Sequence, residues 1–411
     1  MLSEMYPRVH ARYLSLPVLG PHLDGFVVWL RAQGYPRHPI CLRIRATRRL
    51  DAQLRRRGIQ QPTELTAVNL LTFAPKDSQD DIELASLVRS LVGYFEAQHL
   101  LAPAVTPAGL EILTTYRSYL ADVRGLAVHT IDHHAATVRE WLVYLGSAQA
   151  LARLRTLDLR MIEDFLVVVG ARLGRESLQH TVAHLRAFLR FLEMRSLAPA
   201  DLAARIDTPR VYRDERLPRA LPWETVLAFL KSIDRTTPMG RRDYAMFLLI
   251  ATYGLRTSEI AALTLDDVAW RDQQIHVPRP KVRASLTVPL TTTVGAALLA
   301  YLRDGRPPLP VRQLFLRARA PAGTLKPTAV TEAFQGRVRR SGLAIPFQGP
   351  HCLRHSLAVH LLRQGTPLKA IGDLLGHRSA ESTCVYLRLH VEDLRDVALG
   401  LPTAARTAVG S

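Results

Sequence analysis

The sequence predicts a mainly α-helical protein with a small antiparallel β-hairpin in its C-terminal half. Two observations predict this class. Apolar residues recur at helical spacing over most of the chain. Alternation of the strand kind is concentrated in two segments, Gln274–Val277 and Ser285–Leu290, separated by the basic turn Pro278-Arg279-Pro280-Lys281-Val282-Arg283-Ala284. The expected divisions are a helical module over 1–105, a second over 106–205, a linker over 206–220, a mixed α+β domain over 221–390 and a tail over 391–411.

The first module opens with Phe26, Trp29 and Leu30 on one helical face, broken at Gly34-Tyr35-Pro36. A second helix is expected from Ile40 to Arg57, stopped by Gly58. A third covers Leu65–Phe73 and a fourth Leu84–Leu101. The same order recurs further on. Tyr116, Tyr119 and Leu120 precede Gly125, and helices follow over Ile131–Leu145, Leu157–Val169 and Leu178–Leu197. Phe95 aligns with Phe191, and Leu101-Ala102-Pro103 with Leu197-Ala198-Pro199. We read a duplicated four-helix unit.

In the third domain, helices are expected from Trp223 to Ile233 and over Arg241–Tyr253. Gly254 then breaks the chain. Arg256 falls in a turn, Thr257 or Ser258 is placed to cap the next helix, and Glu259 is close enough to orient Arg256. After the hairpin come a helix over Val294–Leu302, a short strand over Val311–Leu316, and a helix over Pro327–Ser341 with Arg337, Arg339 and Arg340 on its exposed face. A helix beginning at His351 puts His351, Arg354 and His355 on one side at i, i+3 and i+4. Leu368–Leu375 and Ser382–Leu389 are the last two helices, with His377 between them and Tyr386 in the second.

Composition bounds the partners. The 411 residues carry a formal net charge of +18, with 54 Lys and Arg, mostly Arg, against 36 Asp and Glu. Guanidinium pairs phosphate oxygens in a bidentate fork, so double-stranded DNA is the expected partner. Arg139 and Arg186 of the second module, Arg210 and Arg213 of the linker, and Arg279 and Arg283 of the hairpin are the candidate backbone contacts. Each also has a bland reading as a solvated charge. Cys41, Cys352 and Cys384 are odd in number and widely spaced, which argues against a disulfide framework or zinc site. No carboxylate cluster or Gly-rich nucleotide loop is evident, so neither a metal nor any other cofactor is expected. No apolar run approaches the ~20 residues that span a bilayer, and a bacterial cytoplasmic, nucleoid-associated location is expected.

Arg256 in G-L-R-T-S-E, Lys281 on the hairpin, His351-x-x-Arg354, His377 in L-G-H and Tyr386 nine residues later occur in that order. This set resembles the tyrosine recombinase (phage integrase-like) family over residues 220–390. Residues 106–200 resemble that family's helical core-binding (SAM-like) domain, and 1–105 look like a second copy. Cys352 stands where an acidic residue is common. The hairpin's Pro-Arg-Pro-Lys replaces a commoner glycine-rich form, which leaves Arg279 and Arg283 as alternatives to Lys281.

The resemblance implies cleavage and rejoining of DNA through a 3′-phosphotyrosine, without metal or ATP, by a site-specific recombinase, integrase or transposase of a mobile element. Tyr386 is the implied nucleophile. Arg256 and Arg354 neutralise the phosphate, His351 accepts a proton or bonds the phosphate, His377 adds a hydrogen bond, and Lys281 protonates the leaving oxygen. We read His355 as structural support. The implied assembly is a dimer on each site and a tetramer at synapsis, with strand exchange through a Holliday junction and with other recombinases of the same element as further partners. Two other readings fit the residues: a type IB topoisomerase-like nicking-closing enzyme, and a non-catalytic DNA-binding regulator.

Overall fold

The computed structural model describes residues 2–75, 81–102, 111–146, 149–210, 219–279, 284–377, 379 and 381–390. They fall into two compact units. One holds the described residues of 1–15, 20–45 and 216–411, the other those of 16–19 and 46–215. No helix among the described residues is long and apolar enough to cross a membrane.

The second unit is all helix. Its principal members are Ile82–Ala97, Glu111–Ser118, Val128–Tyr144, Leu159–Gly170 and Arg175–Met194, with short helices at Ala67–Leu71, Ala150–Arg155 and Leu202–Arg205. A π-helical turn, Tyr119–Val123, extends Glu111–Ser118. Helix starts follow simple chemistry: the Asp81 carboxylate accepts from Leu84 N at 3.0 Å, and the Asp158 carboxylate from Met161 N at 2.8 Å. Trp141, Tyr116, Phe165, Phe188 and Phe191 share one core. Trp141 meets Phe188 edge-on with ring centroids 6.1 Å apart. The expected helix over Leu65–Phe73 shortens to Ala67–Leu71 behind a 3-10 turn, Pro62–Glu64, because Thr66 caps there by accepting from Asn69 N.

In the first unit, helices Trp223–Lys231, Pro238–Tyr253 and Thr257–Ala262 lead to a three-stranded antiparallel sheet ordered β1-β2-β3. The strands are β1 (Val268–Ala269), β2 (Gln274–Arg279) and β3 (Ala284–Pro289), with Ile275 opposite Val288 and Val277 opposite Leu286. β1 was not expected. Helices Thr292–Asp304, Pro327–Ser341, His351–Arg363, Leu368–Leu375 and Glu381–Cys384 follow, then a 3-10 segment, Val385–His390. Met246, Phe247 and Leu249 of Pro238–Tyr253 pack with Phe229, Phe334, Phe315 and Leu353 in the main core.

Several expectations need correction. Val311–Leu316 is not a strand; it makes only single bridges, Gln313 to Thr264 and Leu316 to Thr324. Arg337 does not lie on an exposed face. It is buried and its Nε donates to Asp243 at 2.8 Å, while Arg242 donates to the other oxygen of the same carboxylate. Neither Thr257 nor Ser258 caps the helix after Gly254; Arg256 occupies the cap position. The segment bearing Tyr386 tightens from α-helix to 3-10 turn. The tail lies outside the described residues.

Candidate active site

Arg256 ends an extended residue ahead of Thr257–Ala262, so its side chain leaves the chain at a helix start. Glu259 fixes it twice, accepting from the Arg256 backbone N at 2.8 Å and from its guanidinium at 2.7 Å. The guanidinium also donates to Gly376 O at 3.1 Å and keeps a quarter of its surface open.

Arg354 comes from the first turn of His351–Arg363 and is fully buried. Its guanidinium donates to Gly254 O and to Leu375 O. Burial, then the neighbouring Arg256, pushes its pKa down to about 10, so it stays charged at neutral pH.

Arg279 is a third guanidinium here and is buried. It alternates along β2 with Ile275 and Val277, and therefore turns inward with them. It donates to Leu374 O at 2.6 Å and stands 3.6 Å from Glu259. Its side chain is 4% exposed and its two terminal nitrogens donate to Asp373 O and Leu374 O, which leaves little of Arg279 for the expected contact with the DNA backbone. Gly376 makes room for it, since a Cβ there would fall 2.4 Å from the Arg279 guanidinium.

Tyr386 is 1% exposed and packs against Ala358, Val359, Ile371 and Leu375. Its hydroxyl lies 3.0 Å from His355 Nδ1. Burial raises the phenol's pKa, and Arg354 and Arg256 work against that. His377 stacks on the tyrosine ring at 6.1 Å, and its Nδ1 is 2.9 Å from the Thr383 hydroxyl. His351 is exposed, with its ring edge-on to His355 at 4.7 Å. Surrounding protein, then Arg354 and Arg256, holds its pKa well below the ordinary imidazole value.

Arg256 thus stands at the start of Thr257–Ala262, His351 and Arg354 on His351–Arg363, His377 just after Leu368–Leu375 and Tyr386 on Val385–His390. Lys281, Arg283 and Arg213 lie outside the described residues. Arg139 and Arg210 are exposed. Arg186 is only half-exposed and donates to Ile206 O, which leaves less of it for a DNA phosphate than expected. Sequence reasoning assigned His355 to structural support and passed over Thr383. The signal for His355 was its i, i+4 relation to His351. Thr383 had none.

Three guanidiniums with one carboxylate, Glu259, which meets Arg256 and Arg279, leave an excess of positive charge beside a buried phenol. Such a site accepts an anion of two or more oxygens and stabilises further negative charge on it. Residues 220–393 match the phage integrase family, and residues 113–196 its N-terminal SAM-like domain. The chain is 32% identical over 409 residues to the putative integrase/recombinase y4rA of Sinorhizobium fredii, covering 96% of this chain and 98% of that protein. It therefore belongs to the phage integrase family, the tyrosine recombinases. It is 28% identical to tyrosine recombinase XerD of Listeria monocytogenes, over 70% of this chain and 97% of XerD. Its fold resembles that of XerH site-specific recombinase bound to a palindromic difH substrate, with a TM-score of 0.56 at 18% identity, covering 82% of this chain and 98% of that one.

Proposed function

We propose that this chain is a site-specific recombinase of a mobile element that cuts and rejoins DNA through a 3′-phosphotyrosine at Tyr386. The observation that carries this reading is the convergence of Arg256 and Arg354 with a buried tyrosine hydroxyl. The guanidiniums neutralise the scissile phosphate and the charge that grows on it in the transition state. Loss of one such donor typically costs about 10²–10³ in rate. His377 is held by Thr383 to bond a non-bridging oxygen, and Lys281 protonates the leaving 5′ oxygen. The ester stores the bond energy until a second strand's 5′ hydroxyl attacks it.

The helical modules over 1–105 and 106–205 grip the duplex, with Arg139 and Arg210 on its phosphates. A dimer on each site and a tetramer in synapsis complete the reaction through a Holliday junction in the bacterial cytoplasm.

The test is covalent. Wild-type protein incubated with DNA is expected to give a protein–DNA adduct that survives denaturing electrophoresis, and Tyr386→Phe to bind DNA fully yet give none. An adduct formed by Tyr386→Phe would remove the tyrosine from its role.

A further inference from the structure

Resting on the reading of His377 as a donor to a non-bridging phosphate oxygen, we propose that Thr383 is a positioning residue whose hydroxyl fixes the His377 tautomer, and does so only while the segment carrying Tyr386 is seated. The geometry is specific. Thr383 Oγ1 lies 2.9 Å from His377 Nδ1. Thr383 is 2% exposed, and a Cβ on Gly372 would fall 3.0 Å from that same oxygen. The hydroxyl is therefore wedged between the backbone of Leu368–Leu375 and the imidazole, and glycine at 372 admits it. Gly372 O also accepts from His377 N at 2.9 Å, so one residue positions both partners.

Counting protons sets the direction of the bond. Burial, then Arg354 and Arg256, holds the His377 pKa down to about 4, so at neutral pH the ring carries one N–H. A ring protonated on Nδ1 presents a lone pair at Nε2 and repels a phosphate oxygen; a ring protonated on Nε2 donates to it. Among the described residues the Thr383 hydroxyl has no hydrogen-bond partner other than His377. As donor to Nδ1 it is satisfied. As acceptor it would leave its own proton buried and unpaired, the costlier arrangement. Thr383 thus donates, Nδ1 accepts, and the ring proton is left on Nε2. The place of Thr383 in the chain adds a second consequence. It belongs to Glu381–Cys384, which runs directly into Val385–His390 and Tyr386, whereas His377 follows Leu368–Leu375. Tyr386 seats on Ala358, Val359, Ile371 and Leu375. The nucleophile and the hydroxyl that prepares the histidine are three residues apart on one segment. Seating the tyrosine orients the histidine, and withdrawing it releases the ring to either tautomer.

The test has two arms, both on full-length protein. The first needs no DNA. In nitrogen-15 spectra of histidine-labelled protein, the His377 signals are identified by their loss in His377→Ala. Nδ1 is expected as a bare, hydrogen-bonded nitrogen and Nε2 as a protonated one, and in Thr383→Val the two tautomers are expected to mix. A wild-type His377 protonated on Nδ1 would overturn the proposal without recourse to any variant. The second arm follows cleavage of duplexes recovered from sheared genomic DNA of the source organism by retention on the Tyr386→Phe protein, nicked near the cleavage point to trap the adduct. Thr383→Val keeps the shape and loses the hydroxyl. It is expected to retain DNA as wild type does and to form the adduct about 10–10²-fold more slowly, short of the full loss of a donor. Thr383→Ser is expected to restore most of the rate. Placed in His377→Ala, Thr383→Val is expected to cost nothing further, because the hydroxyl acts through that ring. A wild-type rate in Thr383→Val would overturn the proposal. So would an additive loss in the His377→Ala background or a failure of serine to rescue, either of which marks a packing role. These outcomes leave the recombinase reading standing. Absence of any adduct with wild-type protein would instead bring down that reading, and this one with it.

Discussion

Gly254 and Glu259 show how much of the site is set by single residues. Gly254 takes a left-handed φ of +66°, and a Cβ on it would fall 2.4 Å from Leu375 Cδ2. Its carbonyl also receives Arg354. Gly254→Ala is expected to lose about 1–2 kcal/mol to backbone strain alone, read as a lower urea midpoint, with slower cleavage as Arg354 shifts. Glu259 is 4% exposed and holds both Arg256 and Arg279. Glu259→Gln keeps the shape and removes the charge, leaving the buried Arg279 without a counter-ion. A loss of about 3–5 kcal/mol is expected in equilibrium unfolding, since breaking a buried pair on one side exposes the full cost of the remaining charge.

At the scale of elements, the His351–Arg363 helix brings a buried cation and two histidines to one turn. Packing against neighbouring elements keeps the histidines neutral. Burial, followed by nearby positive groups, lowers His355 to about 3 and His377 to about 4. On Arg175–Met194, burial and then His134 lower His184 to about 4 as well. The sign follows from proton uptake. Above pH 6.5 these rings are neutral in both folded and unfolded chains and stability does not depend on them. As pH falls from 6.5 toward 4, the unfolded chain binds protons that the fold refuses, so stability is lost through that window. The urea midpoint is expected to drop between pH 7 and pH 5, in the absence of DNA. A midpoint flat over that range would mean that these rings protonate in place.

At the scale of the whole molecule, the net charge of +18 dominates encounter with DNA. Each phosphate neutralised releases counter-ions, and log Kobs falls with log salt at a slope of about −0.9 per contact. Affinity is expected to fall steeply between 50 and 200 mM salt, roughly equally for any sequence. Arg139→Ala is expected to reduce the slope by about one, in a titration of a fixed duplex at several salt concentrations. Arg279→Ala is expected to lower stability and leave the slope unchanged, because its guanidinium is spent inside the protein. Equal slopes for Arg139→Ala and wild type would remove that residue from the interface.

The sequence by itself determined the family and the helical class. Those rest on local spacing: His351-x-x-Arg354, L-G-H and a tyrosine nine residues later survive whatever the packing does. Helix positions were legible for the same reason, since burial of one face is written as period. Orientation was not. Arg279 and Arg337 looked exposed because charge ordinarily is, yet β2 parity turns the first inward, and Asp243, 94 residues from Arg337 in the chain, neutralises the second. The partner of Tyr386 was hidden likewise. His355 is 31 residues away, and only the folding of the 3-10 segment onto the His351–Arg363 helix puts its Nδ1 against the hydroxyl. Spacing along a chain is a local property; which donor meets which acceptor is decided when distant segments exclude water from one another.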